Sequence, residues 1–219
     1  MKIKEENFNK IISDRTLFEK CLQHTKENYR TYDPGQYLYN LLMDKTNSDT
    51  FSDEYISLIY TTLIAWNMNG RGAKLNNFEE FKKEILSQRK NLELLKGLKI
   101  EELNEKDFNK VVDILEEIFK NIKLVKTNSP LVTFSKAIHF LLPNLVVPID
   151  RKYTINFFYG NAQLQNDNQF KIFRELFSKF WVLSKKYDLK SYKDPIWNKN
   201  TPKILDNAII GYKILSSKK

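Results

Sequence analysis

The 219-residue sequence is poor in the residues that build disulfides and metal centres, with one cysteine, Cys21, and two histidines, His24 and His139. One cysteine excludes a disulfide within the chain and a zinc site made of cysteines. Two histidines leave little for a histidine-rich metal centre, so we expect neither a metal nor a cofactor. Glycine-rich phosphate loops and the GxSxG and HExxH motifs are absent as well. Few of the common catalytic chemistries remain open.

Glycine and proline are also scarce, with six of each in the chain. Segments of helical periodicity dominate, and 42% hydrophobic with 29% charged residues is typical of a globular protein. These features predict an all-α protein, folded as a compact bundle of several helices. We expect one domain over residues 1–219. The alternative is two lobes, residues 1–122 and 123–219, with a cleft between them.

Long hydrophobic runs are missing too. The first ten residues, MKIKEENFNK, lack the apolar core of a signal peptide. No segment approaches the stretch of apolar sequence that a membrane span requires. The sequence therefore predicts a soluble, cytoplasmic protein without a membrane partner, and it gives no indication of the oligomeric state.

Positive charge is in excess, and it is concentrated in the second part of the chain. The net charge is +9 overall. From Lys123 onward there are 17 Lys and Arg against 6 Asp and Glu, a net charge of +11, whereas the first 122 residues hold 19 against 21. An excess of positive charge in one part of the chain favours a polyanionic partner such as nucleic acid, and we expect DNA. The alternative is that these lysines only keep the protein soluble.

The central stretch, residues 129–160, carries an unusual lysine. Its periodicity predicts a buried helix over residues 131–142. The apolar residues of that helix form one stripe: Leu131, Phe134, Ile138, Leu141 and Leu142. Lys136 is the one charged residue of the helix and lies away from the stripe. After a short connector bounded by prolines, Asp150 begins a second predicted helix.

Lys136 and Asp150 are the candidate catalytic residues. The short interval between them allows the second helix to fold back and bring both side chains to one cleft. A lysine among apolar neighbours loses hydration, which favours the neutral, nucleophilic amine. An aspartate at a helix N-terminus accepts backbone N–H bonds and stays ionised. Alternatively, Asp150 only caps the helix that starts at Arg151, and Lys136 reaches solvent or pairs with Asp150 without catalytic use.

This stretch resembles the catalytic segment of the helix-hairpin-helix DNA glycosylases. The matching residues are Lys136 on its buried helix and the run Val147-Pro148-Ile149-Asp150, which is most similar to the 8-oxoguanine branch. The resemblance implies an all-helical, two-lobed enzyme, basic around its cleft, that flips a damaged base out of the duplex. It implies that Lys136 attacks the sugar carbon and forms a Schiff base, while Asp150 stabilises the developing positive charge and assists proton movement.

The resemblance covers residues 129–160 only, and the sequence departs from the family within that stretch. Family members carry a glycine-hydrophobic-glycine hairpin before the lysine, whose backbone amides bind a DNA phosphate. Here residues 130–135 read PLVTFS, without a glycine. The interval from Lys136 to Asp150 is also shorter than in the family. A non-catalytic nucleic-acid-binding protein on the same scaffold therefore stands beside the enzyme as an alternative.

Two further segments supply candidate binding residues. In NMNGRGA, residues 67–73, two glycines flank Arg71 and permit a nest of amides for a phosphate or carboxylate; the alternative is an ordinary helix C-cap. The loop KSYKDPIWNKNTPK, residues 190–203, places aromatic residues between lysines. The aromatic residues of such a loop can stack on unpaired bases, or they can anchor the loop to the body of the protein. A third alternative is that the chain is an interaction or host-defence protein that holds a protein partner with this loop. The candidate binding residues are Trp66, Asn67, Arg71, His139, Arg151, Tyr192, Trp197 and Lys203.

Overall fold

The computed structural model confirms the predicted all-α class. It describes the following parts of the chain: residues 2–29, 32–46, 49–68, 74–164 and 168–217. Within these ranges the chain forms eleven α-helices and no strand, and one isolated bridge joins Leu75 to Val125. None of the described helices combines the length and the hydropathy that crossing a membrane would demand.

The helices are joined by connections of very different length, as their bounds show. In chain order they are α1 (Glu5–Ser13), α2 (Arg15–Asn28), α3 (Pro34–Asp44), α4 (Asp53–Ala65), α5 (Phe78–Ser87), α6 (Arg89–Leu95), α7 (Glu105–Asn121), α8 (Leu131–Leu141), α9 (Asn156–Tyr159), α10 (Gln169–Ser184) and α11 (Thr201–Ser217). Short 3-10 turns span Ile100–Glu102 and Leu189–Tyr192, and a π-helical turn, Arg151–Ile155, leads into α9.

Helix α8 lies in the core, and all eleven of its residues are buried. It packs against α4 and α10. The Tyr55 hydroxyl of α4 donates to the Phe140 carbonyl at 2.8 Å. Phe134 meets Phe119 and Phe173 edge to face, with ring centroids 4.8 and 5.3 Å apart. The apolar helix predicted for this stretch is therefore present, and it is buried on every side.

Helices α2 and α11 approach each other backbone to backbone. A Cβ atom built on Gly211 would stand 1.8 Å from the Cys21 carbonyl oxygen. Close by, the Thr25 hydroxyl donates to the Asn207 carbonyl at 2.5 Å. Because glycine has no side chain, Gly211 permits a separation that any other residue would prevent. This contact fixes the position of α11 against the rest of the core.

We expect Gly211→Ala to destabilise the protein strongly, because the added methyl group would force α2 and α11 apart. The free energy of unfolding in urea should fall by about 3 kcal/mol or more. Gly97→Ala is the matched control: Gly97 has φ of +84° but no atom within 4 Å of an added Cβ. That control should lose only about 1 kcal/mol through backbone strain. Equal losses in the two variants would contradict the close packing of α2 on α11.

Candidate functional site

Lys136 and Asp150, the two candidate catalytic residues, lie together. Lys136 projects from the middle of α8 and is only 7% exposed. Its Nζ lies 3.4 Å from Oδ2 of Asp150, whose side chain is 36% exposed. One partner is thus nearly buried and the other faces solvent. An ion pair in this position is shielded from water on the lysine side and accessible on the aspartate side.

The chain around Asp150 holds its carboxylate in place. Oδ1 of Asp150 accepts the backbone N–H groups of Lys152 and Tyr153 at 2.7 and 3.3 Å, as an N-cap does. The N–H of Asp150 donates to the Thr154 hydroxyl at 3.1 Å. Oδ1 therefore serves the helical turn that follows, and Oδ2 is left for Lys136. The N-cap role and the pairing with lysine occur together.

The connector before Asp150 is tied to the lysine helix. The Ile149 N–H donates at 3.0 Å to the hydroxyl of Ser135, the residue next to Lys136. Pro148 precedes Ile149 and cannot continue a helix, so the chain stays extended up to the cap. Because one side chain of α8 binds the connector directly, the separation of Lys136 and Asp150 is set by the backbone.

Trp66 and Met68 complete the surroundings of the Lys136 ammonium group. Nζ lies 5.3 Å from the centroid of the Trp66 ring, a cation–π arrangement, and 3.7 Å from the Met68 sulfur. The Trp66 indole N–H donates to the Gly35 carbonyl at 3.2 Å. A Cβ on Gly35 would come within 2.6 Å of the indole ring. The glycine therefore allows Trp66 to lie flat against α3 and to face the lysine.

A cavity of about 520 Å³ opens in front of the ion pair. This volume lies within the ~300–1,000 Å³ that small-molecule sites occupy. Its charged lining residues are Lys136, Asp150, Arg151 and Lys152, three cations against one carboxylate. The candidates Trp66 and Asn67 line it as well. We call it the lysine cavity.

Arg151 is fixed at one wall of the lysine cavity. Its guanidinium donates to the Ser129 hydroxyl at 2.6 Å, and Ser129 itself lines the cavity. Asn67 lines the same cavity and has a positive φ of 61° just after α4. Arg71, which was expected beside it, lies outside the described residues.

A second ion pair lies next to the first, between the candidate residue Lys203 and an aspartate that is not among the candidates. Lys203 and Asp206 of α11 are 4% and 5% exposed, and Nζ lies 2.6 Å from Oδ2. The Lys203 ammonium is 5.8 Å from the Trp66 ring, so Trp66 faces both ammonium groups. A small cavity of about 130 Å³ is lined by both pairs. Asp206 could have been found from its spacing of three residues from Lys203 on one helix.

The environment of Lys203 keeps it charged. Burial acts to lower the pKa of Lys203, but the adjacent Asp206 carboxylate more than offsets this and raises that pKa above its usual range. The sequence predicts Lys203 as a binding residue at the end of the loop 190–203. In the structure it lies in the first turn of α11, buried and paired with Asp206, so it supports the site and does not face a ligand.

His139 lies behind the lysine cavity and does not line it. Its Nδ1 is 2.6 Å from the Val146 carbonyl, which can only accept, so Nδ1 carries the proton. The Tyr39 hydroxyl, 3.2 Å away, then donates to Nε2. Burial lowers the pKa of His139 to about 3, and the charge of Lys203 acts in the same direction. His139 is a neutral part of the core that joins α8 to α3.

Tyr192 and Trp197 anchor their loop to the body. The Tyr192 hydroxyl donates to Glu19 at 2.7 Å, and the Trp197 ring stacks on Tyr29 with centroids 4.3 Å apart. Neither aromatic residue lines the lysine cavity. The structure therefore shows the contacts expected if the aromatic residues anchor the loop to the body of the protein.

No three His, Cys, Asp or Glu side chains in the described ranges are arranged to hold a metal ion. Comparison with known proteins gives no assignment either: no family model, no curated protein and no solved structure matches this chain.

The depressed pKa of His139 predicts a specific loss of stability in mild acid. The unfolded chain takes up a proton near pH 6.5, whereas the folded state does so only near pH 3. Stability is therefore complete above pH 6.5 and declines as the pH falls towards 3. Between pH 6.5 and 4.5 the decline should be about 2–3 kcal/mol.

Urea unfolding of the wild type and of His139→Asn at several pH values measures this decline. The variant should be less stable at pH 7, because its buried partners lose their bonds, but its stability should depend less on pH below 6.5. The two proteins differ only at position 139, so every other group contributes equally to both curves. Parallel stability curves for the two proteins would contradict the prediction, because they would mean that the pKa of His139 is the same in the folded and unfolded states.

Proposed function

We propose that this chain is a DNA-binding protein of the base-excision type, whose lysine cavity takes a base flipped out of the DNA. The observation that carries the proposal is the meeting of Lys136 Nζ and Asp150 Oδ2 at 3.4 Å on the wall of a cavity with two further cations. Its size suits a flipped nucleotide, and its net positive charge suits the phosphates on either side of that nucleotide.

The proposed reaction uses the pair as nucleophile and proton acceptor. Asp150 accepts a proton from the Lys136 ammonium group, and the neutral amine attacks C1′ of the sugar. As the N–C1′ bond forms, the glycosidic bond breaks and the base leaves with its electron pair and takes up the proton from Asp150. The C1′–O4′ bond then breaks, one proton of the lysine nitrogen passes to O4′, and the nitrogen forms the C1′=N double bond of a protonated Schiff base. The carboxylate, ionised again, faces the positive charge of that Schiff base.

The arrangement of the site supports these roles. The N-cap bonds hold Asp150 at a fixed place, so no rearrangement is needed before proton transfer. A base in the cavity would displace the water that reaches Asp150, and the electrostatic interaction between the pair and the reacting sugar would become stronger. Arg151, held by Ser129, offers a guanidinium at the cavity wall for an adjacent phosphate.

One observation favours a second candidate function, a nucleic-acid-binding protein without catalysis. The Lys136 ammonium group is already surrounded by a carboxylate, a sulfur and an aromatic ring. These contacts stabilise the charged form, which is not a nucleophile. In that case the lysine cavity binds a nucleotide, and affinity falls steeply with salt while the DNA stays intact.

Borohydride trapping distinguishes the two. With DNA that contains 8-oxoguanine or an abasic site, wild-type protein should form a covalent adduct through the Schiff base, and Lys136→Ala should form none. Asp150→Asn should slow trapping by about 10²-fold or more, because the proton acceptor is lost. Lys152→Ala removes a charge from the same cavity but no reacting group, so it is the matched control and should still be trapped.

The enzymatic proposal fails if wild-type protein gives no adduct, or if Lys136→Ala is trapped as well as wild type. Binding with a steep salt dependence but no adduct would leave the non-catalytic function. DNA binding that is absent at low salt would remove both.

A further inference from the structure

A second and larger cavity, of about 770 Å³, lies beyond Ser129 from the lysine cavity. It runs between the end of α7, the segment 122–130 and the first turns of α10. Its basic side chains are Lys120, Lys123, Lys126, Lys171 and Arg174, and its one acidic side chain is Glu116. We call it the basic groove.

Most of the charge in the basic groove is not neutralised by the protein. Lys120 pairs with Glu116 at 2.8 Å. The other four cations are exposed, and none of them forms an ion pair within the part of the chain that the structure describes. Four exposed cations around one concave surface repel one another. An anion in the groove would relieve this repulsion, and several cations around one groove match several phosphates better than one.

Two aromatic rings line the same groove as the cations. Phe119 and Phe170 are partly buried, and their ring centroids are 5.4 Å apart. Each is supported from below, Phe119 by Phe134 at 4.8 Å and Phe170 by Phe173 at 5.7 Å. The rings are therefore held at fixed positions and keep part of their surface exposed to the groove.

The groove also contains an unused hydrogen-bonding group. The Thr127 hydroxyl is buried and has no partner among the described residues. Buried hydroxyls are normally paired, because leaving one unpaired costs about 1–3 kcal/mol. The oxygen itself has almost no accessible surface, so a ligand in the groove would contact the cations and the rings and not this hydroxyl.

We infer that the basic groove binds an unpaired stretch of nucleic acid. Cations that follow a backbone, with aromatic rings between them, are the combination that single-stranded nucleic acid recognises: phosphates meet the charges, and bases stack on the rings. In a duplex the faces of the bases are covered by their neighbours, so Phe119 and Phe170 would have nothing to contact. The partner is therefore a single strand or an unpaired region within a duplex.

The groove and the lysine cavity are close enough to serve one strand. Gln169 lines the groove and donates to the Ser129 hydroxyl at 3.3 Å, and Ser129 accepts from Arg151 of the lysine cavity. A strand in the groove would continue past Ser129 towards Lys136. An unpaired strand also costs less to flip than a duplex. This step rests on the proposed function and names its substrate as DNA that is already unpaired near the target base.

Fluorescence anisotropy with a labelled oligothymidylate of about 20 nucleotides tests the inference. Wild-type protein should bind it more tightly than a duplex of the same length. Lys171→Glu/Arg174→Glu should weaken binding by at least about tenfold and should make the affinity less dependent on salt. Lys83→Glu/Lys90→Glu is the matched control, since both residues are exposed, lie outside the groove and form no ion pair with any described residue. It changes the net charge equally and should weaken binding much less.

Phe170→Ala separates stacking from charge. It should weaken binding of the single strand by about tenfold without changing the salt dependence, because no charge is removed. Thermal unfolding of each variant shows whether it is folded.

Equal weakening by both charge-reversal variants, or tighter binding of the duplex, would overturn the inference. Borohydride trapping keeps the outcomes apart. If wild-type protein gives no adduct but binds the oligothymidylate as expected, only the proposed enzyme is removed. If wild-type protein gives an adduct and Lys171→Glu/Arg174→Glu binds the oligothymidylate as tightly as wild type, only this inference is removed.

Discussion

The charge on Lys136 has to be compensated inside the protein, because α8 is buried on every side. Asp150 provides the compensation, and the backbone places it there. Its Oδ1 caps the next helical turn, and the connector before it is bound to Ser135 of α8. The lysine cavity exists because these two constraints leave one carboxylate oxygen and one ammonium group facing the same space. Without the cap, the lysine would be an unpaired charge in the core.

The second ion pair extends this electrostatic arrangement into α11. Burial raises the pKa of the Asp206 carboxyl, Lys203 opposes that effect, and the more distant Asp150 and Lys136 act on it with opposite signs. Trp66 lies against both ammonium groups. A ligand that separates Lys136 from Asp150 would therefore change the field at Asp206. The close contact of Gly211 with α2 matters for the same reason, since it holds α11 in position.

Local patterns were enough to predict the all-α class, the buried lysine helix and the cap at Asp150. Helical periodicity and N-cap preference are properties of neighbouring residues, so a sequence displays them directly. The roles of Tyr192, Trp197 and Lys203 could not be predicted from such local patterns. An aromatic residue between lysines looks the same whether it stacks on a base or on Tyr29, and only the tertiary contacts distinguish the two.

The basic groove could not be predicted from charge along the chain. Lys120 belongs to the acidic first part of the sequence, and Lys171 and Arg174 lie on a helix far from it in sequence. Folding brings α7 and α10 together and concentrates their charge beside Phe119 and Phe170. The +11 excess indicated a polyanionic partner, but the groove's position depends on helix packing that a linear count does not contain.

Occupation of the lysine cavity by a base is tested most directly through the indole N–H resonances of the three tryptophans. Wild-type protein is titrated with DNA that carries one 2′-fluoro-8-oxoguanosine, whose glycosidic bond resists cleavage. The Trp66 resonance should shift and saturate at one equivalent. The Trp181 resonance should stay in place, because Trp181 does not line the lysine cavity. Saturated DNA binding with an unchanged Trp66 resonance would contradict a base in the cavity.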